Sequence, residues 1–288
     1  MKLVKEKARS LVFGIAAGLG SAVLSGVFSS FSGATSTDVS VPLLIGVAFI
    51  VGIAHYWKTL QMQTMQDEFN QVKKKLAVLG NGIAETQGLV QLSDLNRPYP
   101  MPFGGSWALT PDAAVILARE VAIRRPNIIV ELGSGVSTLV VGKLLQQMGC
   151  GHLFSLDHDA NWAEETRRHI SANGLQDYVD VLDAPLTRQQ FDGKDFDWYQ
   201  IPDQLRHIEK IDMLTVDGPP QTTDSTVLAR YPALPALANR LSEQAIIYID
   251  DAKRVTEQAM VQKWLQQYPE WNSRTIDTIP GTCILARQ

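Results

Sequence analysis

The chain has 288 residues, of which 45% are hydrophobic and 19% charged, and a formal net charge of -4. That length holds one large domain plus an appendage, and the mild acidity excludes the global basic signature of a nucleic-acid-binding protein. Two cysteines, Cys150 and Cys283, sit in or beside apolar runs, which argues against a disulfide framework and for reduced core thiols; no Cys/His spacing resembles a zinc site.

Leu11 to Phe31, "LVFGIAAGLGSAVLSGVFSSF", is 21 residues without a charge, and a bilayer-crossing helix needs about 20. After the polar break "SGATSTDVS", Val41 to Trp57 adds 17 uncharged residues ending in Tyr56 and Trp57, which suit a lipid interface. Lys2, Lys5, Lys7 and Arg9 precede the first run, Lys58 follows the second, and the loop between holds only Asp38. The positive-inside rule then places both ends in the cytoplasm. The expectation is a two-pass membrane anchor over 1–57, embedded in a lipid bilayer such as a bacterial inner membrane, with the rest of the chain cytoplasmic. A cleaved signal peptide fits less well, because the first run is long and a second follows at once. Gly14, Gly18, Ala22, Gly26 and Ser30 recur every four residues and form a stripe where another helix can approach closely.

Residues 58–95 read as a helical linker. Met62, Met65, Phe69, Val72, Leu76 and Leu79 follow a 3,4,3,4,3 spacing, a heptad seam. The seam suits either a coiled coil that makes a homodimer or a stripe packed on the chain's own domain. Gly80-Asn81-Gly82 reads as the end of that helix, and "NRPYPMPFGG" (96–105) as the loop that opens a main domain over 96–288.

The main domain alternates. "TPDAAVILAREVAI" predicts a helix with Thr110 as N-cap and Pro111 at its first position. "NIIVEL" is a β-branched run of the kind buried in a parallel sheet, "VSTLVVGKLLQQMG" a helix, and "HLFSLD" a strand. "NWAEETRRHISANG" reads as a helix and "YVDVLDA" as a strand. A long connection, Phe191 to Lys210, precedes the strand "IDMLTVDG"; its Trp198 and Tyr199 either line an acceptor pocket or pack the loop down. "YPALPALANRL" reads as helix, "QAIIYIDD" as strand, "RVTEQAMVQKWLQQY" as helix, and "NSRTIDTIPGTCILARQ" as two strands around Pro280-Gly281. The predicted fold is α/β: a Rossmann-like, seven-stranded, doubly wound sheet.

In such sheets ligands gather at the carboxyl ends of the strands. "ELGSG" sits at the end of the first strand, the second strand stops at Asp157 and the third at Asp183. Asp157 suits ribose hydroxyls, and Asp183 an adenine amino group. Acids at successive strand ends fit a cationic, adenosine-bearing ligand and fit a pyrophosphate poorly. The dinucleotide spacing G-x-G-x-x-G is missing, because Thr138 stands where the third glycine belongs.

At these residues the sequence resembles a known family. "VELGSGVSTL", "SLDHDANWAEETRRHI", "LDAPL", "LTVDGPP" and "YIDDAKR" are similar to the class I S-adenosylmethionine-dependent methyltransferases, from about Trp107 to the C-terminus. The resemblance implies a last strand that is antiparallel, and S-adenosyl-L-methionine as cofactor. It implies that Glu131, Gly133, Ser134 and Gly135, with Thr138 in the same turn, hold the methionine end. Asp157 with His158 would take the ribose, Asp183 and Ala184 would border the adenine, and Trp107 would close over the site.

Asp217 ends the fourth strand, and Asp250 with Asp251 end the fifth. Clustered carboxylates repel unless something cationic compensates, and a divalent ion such as Mg held by Asp217, Asp250 and Asp251 is one solution. The layout resembles catechol-type O-methyltransferases, with the departure that Pro220 stands where those enzymes carry a lysine. Lys253 and Arg254 are alternative sources of positive charge, and hydrogen bonding without an ion is another. Asp217, Asp250 and His158 are the candidate general bases. The leading expectation is methyl transfer to an oxygen, less readily a nitrogen, of a small-molecule or lipid-linked acceptor. The alternatives are a membrane scaffold that binds the cofactor without turnover and an NAD-type oxidoreductase.

Overall fold

The computed structural model describes residues 40–95, 99–105, 108–221 and 228–287, except for the side chains of 40–45. Contacts divide the chain into two units, Met1–Ala77 and Val78–Gln288. Among the described residues no helix is long and apolar enough to cross a membrane. The first apolar run, with its small-residue stripe, lies outside the described residues, whereas the second falls within one described helix, Ser40–Gln91, that does not qualify as a membrane span.

Helix α1 runs without interruption over Ser40–Gln91. This corrects the expected stop at Gly80-Asn81-Gly82. Two interior glycines cost about 1 kcal/mol each but do not remove a hydrogen bond, so they weaken a helix without ending it. The last turns are held by packing: a Cβ on Gly88 would lie 2.5 Å from the Pro111 carbonyl carbon, and Leu92 is buried. The seam residues Met62, Met65, Phe69, Val72, Leu76 and Leu79 are all more than half exposed, and Ile83 and Val90 carry the same spacing past the glycines.

The main sheet follows the predicted alternation. After α2 (Pro111–Arg124) come β1 (Ile128–Leu132), α3 (Val136–Met148), β2 (His152–Asp157), α4 (Ala160–Ala172) and β3 (Val179–Asp183). An inserted hairpin, β4 (Leu186–Phe191) and β5 (Lys194–Tyr199), and the short α5 (Asp203–Arg206) lead to β6 (Ile211–Val216). Then α6 (Ala233–Leu237), β7 (Leu241–Ile249), α7 (Val255–Gln267), β8 (Trp271–Ile276) and β9 (Thr282–Arg287) complete the chain. The sheet order is β3-β2-β1-β6-β7-β9-β8, with β9 antiparallel to both neighbours. The switch point therefore lies between β1 and β6, where the chain reverses its direction of winding.

Alternation along the central strands builds two cores. Val130, Leu132, Leu214, Val216, Ile247 and Ile249 face one side, with Trp198, Tyr231 and Trp264. Ile129, Met213, Ile246 and Tyr248 face the other, with residues of α2, α3 and α4. The connection before β6 is thus a hairpin rather than a loop. Trp198 and Tyr199 are fully buried in the first core, so Trp198 packs the hairpin down. Asp192 at the hairpin tip is clasped by Tyr231, Gln267 and Lys263.

Trp264 is fully buried and its indole N–H donates to the Tyr231 carbonyl at 2.9 Å. Trp264→Ala is expected to destabilise the protein by about 3–5 kcal/mol in urea unfolding, whereas the exposed Trp162→Ala should change stability by less than about 0.5 kcal/mol. Equal effects of the two substitutions would contradict this packing.

Candidate active site

The turn after β1 is pressed against the turn after β6. Gly133 has φ +97°, and a Cβ there would lie 3.2 Å from the Gly218 nitrogen, so both the backbone angle and the space require glycine. Asp217 N and Gly218 N both donate to the Leu132 carbonyl, at 3.0 and 2.6 Å. The two loops are thereby locked side by side at the switch point.

Beneath that turn a polar row crosses the sheet: Glu131 is in register with Ser155 on β2 and Thr215 on β6. Glu131 is fully buried, and its Oε2 accepts from Thr138 Oγ1 at 2.5 Å and from Ser155 Oγ at 2.6 Å, while Oε1 has no partner. Burial pushes its carboxyl up to about 7, against the lowering effect of the hydroxyl groups around it. Thr138 also accepts from Gly135 N at 2.9 Å. The threonine at the third-glycine position therefore ties Glu131 to the turn and fixes the start of α3.

Asp157 is nearly buried. Its Oδ2 accepts from both the amide and the hydroxyl of Ser134, at 2.9 and 2.6 Å, and Oδ1 accepts from Asp159 N at 3.0 Å. Burial alone would raise its carboxyl, but His158, Ser134 and the Asp159 amide together hold it below the usual range. His158 Nδ1 lies 3.5 Å from Asp157 Oδ1, within ion-pair reach but without hydrogen-bond geometry. Asp157 raises the imidazole, against the opposing effect of burial. Asp183 is exposed and paired to Arg167 at 3.2 Å. It borders an open cleft of about 540 Å³ that Pro185, Gln200, Ile201 and His207 also line. Ala184 is buried, its amide donating to the Asp157 carbonyl at 2.7 Å. Trp107 lies outside the described residues.

The strand-end acids of β6 and β7 do meet: one oxygen from each of Asp217, Asp250 and Asp251 lies within 4.8 Å of the others. Asp250 is 5% exposed, and its Oδ1 is buried without a partner. Burial, then Asp217 and Asp251, raise its carboxyl well above the ordinary value; burial also raises Asp217, with Arg230 opposing. Of the two cations the sequence suggested, Arg254 does compensate and Lys253 does not, while the buried cation of the trio, Arg230, was not among them. Arg230, 4% exposed, sets Nη2 3.3 Å from Asp217 Oδ1 and 3.1 Å from Asp251 Oδ2. Arg254 reaches Asp251 at 2.9 Å, whereas Lys253 turns away to Asp277 at 2.8 Å. With a guanidinium already bonded to two of the three proposed ligands, the trio as arranged does not fit a divalent ion.

Tyr199, which the sequence left between lining an acceptor pocket and packing the connection down, is buried beside the strand ends. Its buried hydroxyl has no partner and lies 2.2 Å from where a Cβ on Gly218 would stand. Burial raises it well above its ordinary value, and Asp157, Asp217 and Glu131 add to that, which places the hydroxyl among the strand-end acids.

The raised Glu131 carboxyl has a measurable consequence. The folded protein holds that proton more tightly than the unfolded chain, so its contribution to stability is complete below 4.5 and is lost as pH rises through about 7. Glu131→Gln, compared with the unsubstituted protein by urea unfolding at about pH 5 and about pH 8, is expected to reduce the alkaline loss of stability by on the order of 3 kcal/mol. A difference between the two proteins that does not change with pH would contradict the assignment.

Residues 130–252 match a family model described as a methyltransferase domain. None of the curated proteins matches the chain in sequence. Among solved structures, the SAH-bound methyltransferase PaMTH1 of Podospora anserina superposes with a TM-score of 0.51 at 14% identity, over 74% of this chain and 96% of that one. A methyltransferase from Geobacter sulfurreducens gives 0.44 at 18% identity, over 60% and 77%. An O-methyltransferase from Bacillus cereus in complex with SAH gives 0.46 at 15%, over 71% and 90%. The matched segment runs from β1 through the acids that end β7, and with the strand order and the glycine turn it makes this chain an S-adenosylmethionine-dependent methyltransferase.

Proposed function

We propose that the enzyme transfers a methyl group to an oxygen of an acceptor held beside Asp217 and Asp250. One observation carries this reading: a buried, unpartnered Asp250 Oδ1 beside Asp217, at the ends of adjacent strands next to the switch point. When bound, S-adenosylmethionine supplies a methyl carbon on a cationic sulfur. Ser134, Gly135 and Asp157 lie where its methionine and ribose would rest. Ser134 Oγ has a second partner in Thr166 Oγ1 at 3.1 Å, so it can yield Asp157 Oδ2 to a ribose hydroxyl. Asp183 and the adjoining cleft lie on the adenine side.

Asp250, as the carboxylate, takes the proton of the acceptor hydroxyl. With its proton on Asp250, the acceptor oxygen would be the nucleophile for the methyl carbon that bound S-adenosylmethionine would supply, the sulfur keeping the electron pair of the carbon–sulfur bond. A carboxylate whose proton affinity burial has raised is the better base for that step. Asp217, neutralised by Arg230, orients the acceptor. His158 is turned to Asp157 and belongs to the cofactor side rather than the reacting oxygen.

Two further parts of the reading concern placement. The exposed seam of α1 supports pairing of two copies, because Glu68 precedes Phe69 and Lys73 follows Val72, the flanking positions that attract across a parallel pair. The two apolar runs at 11–31 and 41–57 support attachment to a membrane and a small-molecule or lipid-linked acceptor there.

Calorimetric titration should show binding of S-adenosylhomocysteine and none of NAD, with Asp157→Ala weakening the former at least about tenfold. Asp250→Asn should keep that affinity while lowering transfer of tritiated methyl into membrane extract by about 100-fold or more. Retained transfer in Asp250→Asn would remove Asp250 as the base. Failure of the nucleoside to bind would remove the whole reading. For the seam, Phe69→Glu with Leu76→Glu is expected to halve the mass by light scattering, and an unchanged mass would reject pairing through α1.

A further inference from the structure

We infer that Arg230 is the resident cation of this site and stands in for the divalent ion that an acid trio would otherwise need. The inference rests on the methyltransferase reading for its meaning, and on the guanidinium's own bonds for its argument.

A guanidinium carries five N–H groups in a fixed fork. Here Nη2 serves Asp217 Oδ1 and Asp251 Oδ2 at 3.3 and 3.1 Å. Nη1 serves the Asp250 carbonyl at 3.4 Å and faces Glu257 Oε1 at 3.7 Å. Nε serves the Pro219 carbonyl at 3.4 Å. These four hydrogen bonds and the ion pair to Glu257 bind together the loop after β6, the loop after β7 and the first turn of α7. With its N–H groups turned to these protein partners, Arg230 is a positioning residue: it neutralises Asp217 and Asp251 and leaves Asp250 Oδ1 as the free acceptor. A divalent ion among the same oxygens would face a buried guanidinium held by three elements, and in a poorly solvated site two cations at such range repel strongly. An arginine cannot relieve this by losing a proton, and a lysine at the same place would be held in its charged form by the surrounding Asp217, Asp251 and Glu257.

The test is titration of the full chain with Mn²⁺, followed by electron paramagnetic resonance, alongside calorimetry with S-adenosylhomocysteine on the same samples. The unsubstituted protein is expected to show no stoichiometric Mn²⁺ binding up to about millimolar ion, the weak end of protein oxygen sites. Arg230→Met, which keeps length and removes charge, is expected to bind one Mn²⁺ at least about tenfold more tightly. Arg230→Lys is expected to behave as the unsubstituted protein does. Tight binding of one Mn²⁺ by the unsubstituted protein, lost in Asp217→Asn, would overturn the inference. So would a folded Arg230→Met variant with unchanged Mn²⁺ affinity. Should Arg230→Met fail to fold, the unsubstituted and lysine proteins decide alone: absence of Mn²⁺ binding in both supports the inference, and stoichiometric binding in either overturns it. Failure to bind the nucleoside would sink the methyltransferase reading, while the Mn²⁺ result still reports on Arg230.

Discussion

A buried guanidinium between carboxylates is the constraint on which the rest of the site depends. Arg230 is nearly inaccessible, and so is Glu257, while Asp217 and Asp251 are only partly exposed. Removing one member of such a group strands the others in a poorly solvated space, which typically costs about 3–5 kcal/mol. The arrangement is therefore cooperative. It holds the loop after β6 against the loop after β7, and the loop after β6 is in turn pressed against the glycine turn after β1. The turn after β1 and the acids after β6 and β7 are thereby coupled mechanically through Gly133 and Gly218.

The sheet explains why these groups converge. Parallel strands deliver their carboxyl ends to one edge, so an acid placed last on β1, β2, β6 or β7 arrives at that edge whatever lies between in sequence. What distinguishes the acids is depth. Glu131 lies inside the sheet layer in a row with Ser155 and Thr215, so its charge is strongly disfavoured. Asp157 is also covered, but it has enough donors to remain ionised. One edge thus supplies a carboxyl whose ionisation burial has moved up to about 7, a carboxylate held below the usual range, and a pair buffered by arginine.

The alternation of β-branched runs with helical periods made the seven-stranded sheet legible, since each buried strand is short, apolar and followed by a glycine or an acid. The strand-end acids were legible for the same reason. Arg230 was not, because its partners lie 13 to 27 positions away along the chain and meet only when the sheet closes. A signal existed all the same: Arg230 is the only charged residue in 228–239, and a charge isolated in an apolar run is usually paired inside. The hairpin of β4 and β5 was hidden by its polar outward positions, and only Phe196, Trp198 and Tyr199 of β5 are buried. Gly80 and Gly82 misled because a helix stop needs more than a weak helix former. The packing of Gly88 and Leu92, several residues on, decided where α1 ends.

Stability and function pull apart at the strand ends. Glu131 Oε1, Thr215 Oγ1, Tyr199 Oη and Asp250 Oδ1 are all buried without a hydrogen-bond partner, and each such group costs about 1–3 kcal/mol. A fold selected for stability alone would replace Tyr199 by phenylalanine and Asp250 by an apolar residue. Both edits would fill the same volume, and neither would disturb the backbone contacts of the loops. Four unpaired polar atoms gathered around one switch point, beside the buried Ser155 and Asp157, suit a surface that meets a polar ligand. The close contact of Gly133 and Gly218 leaves only backbone between the turn after β1 and the acids after β6, so a side chain at either position would part the two loops and pull the strand-end groups away from one another.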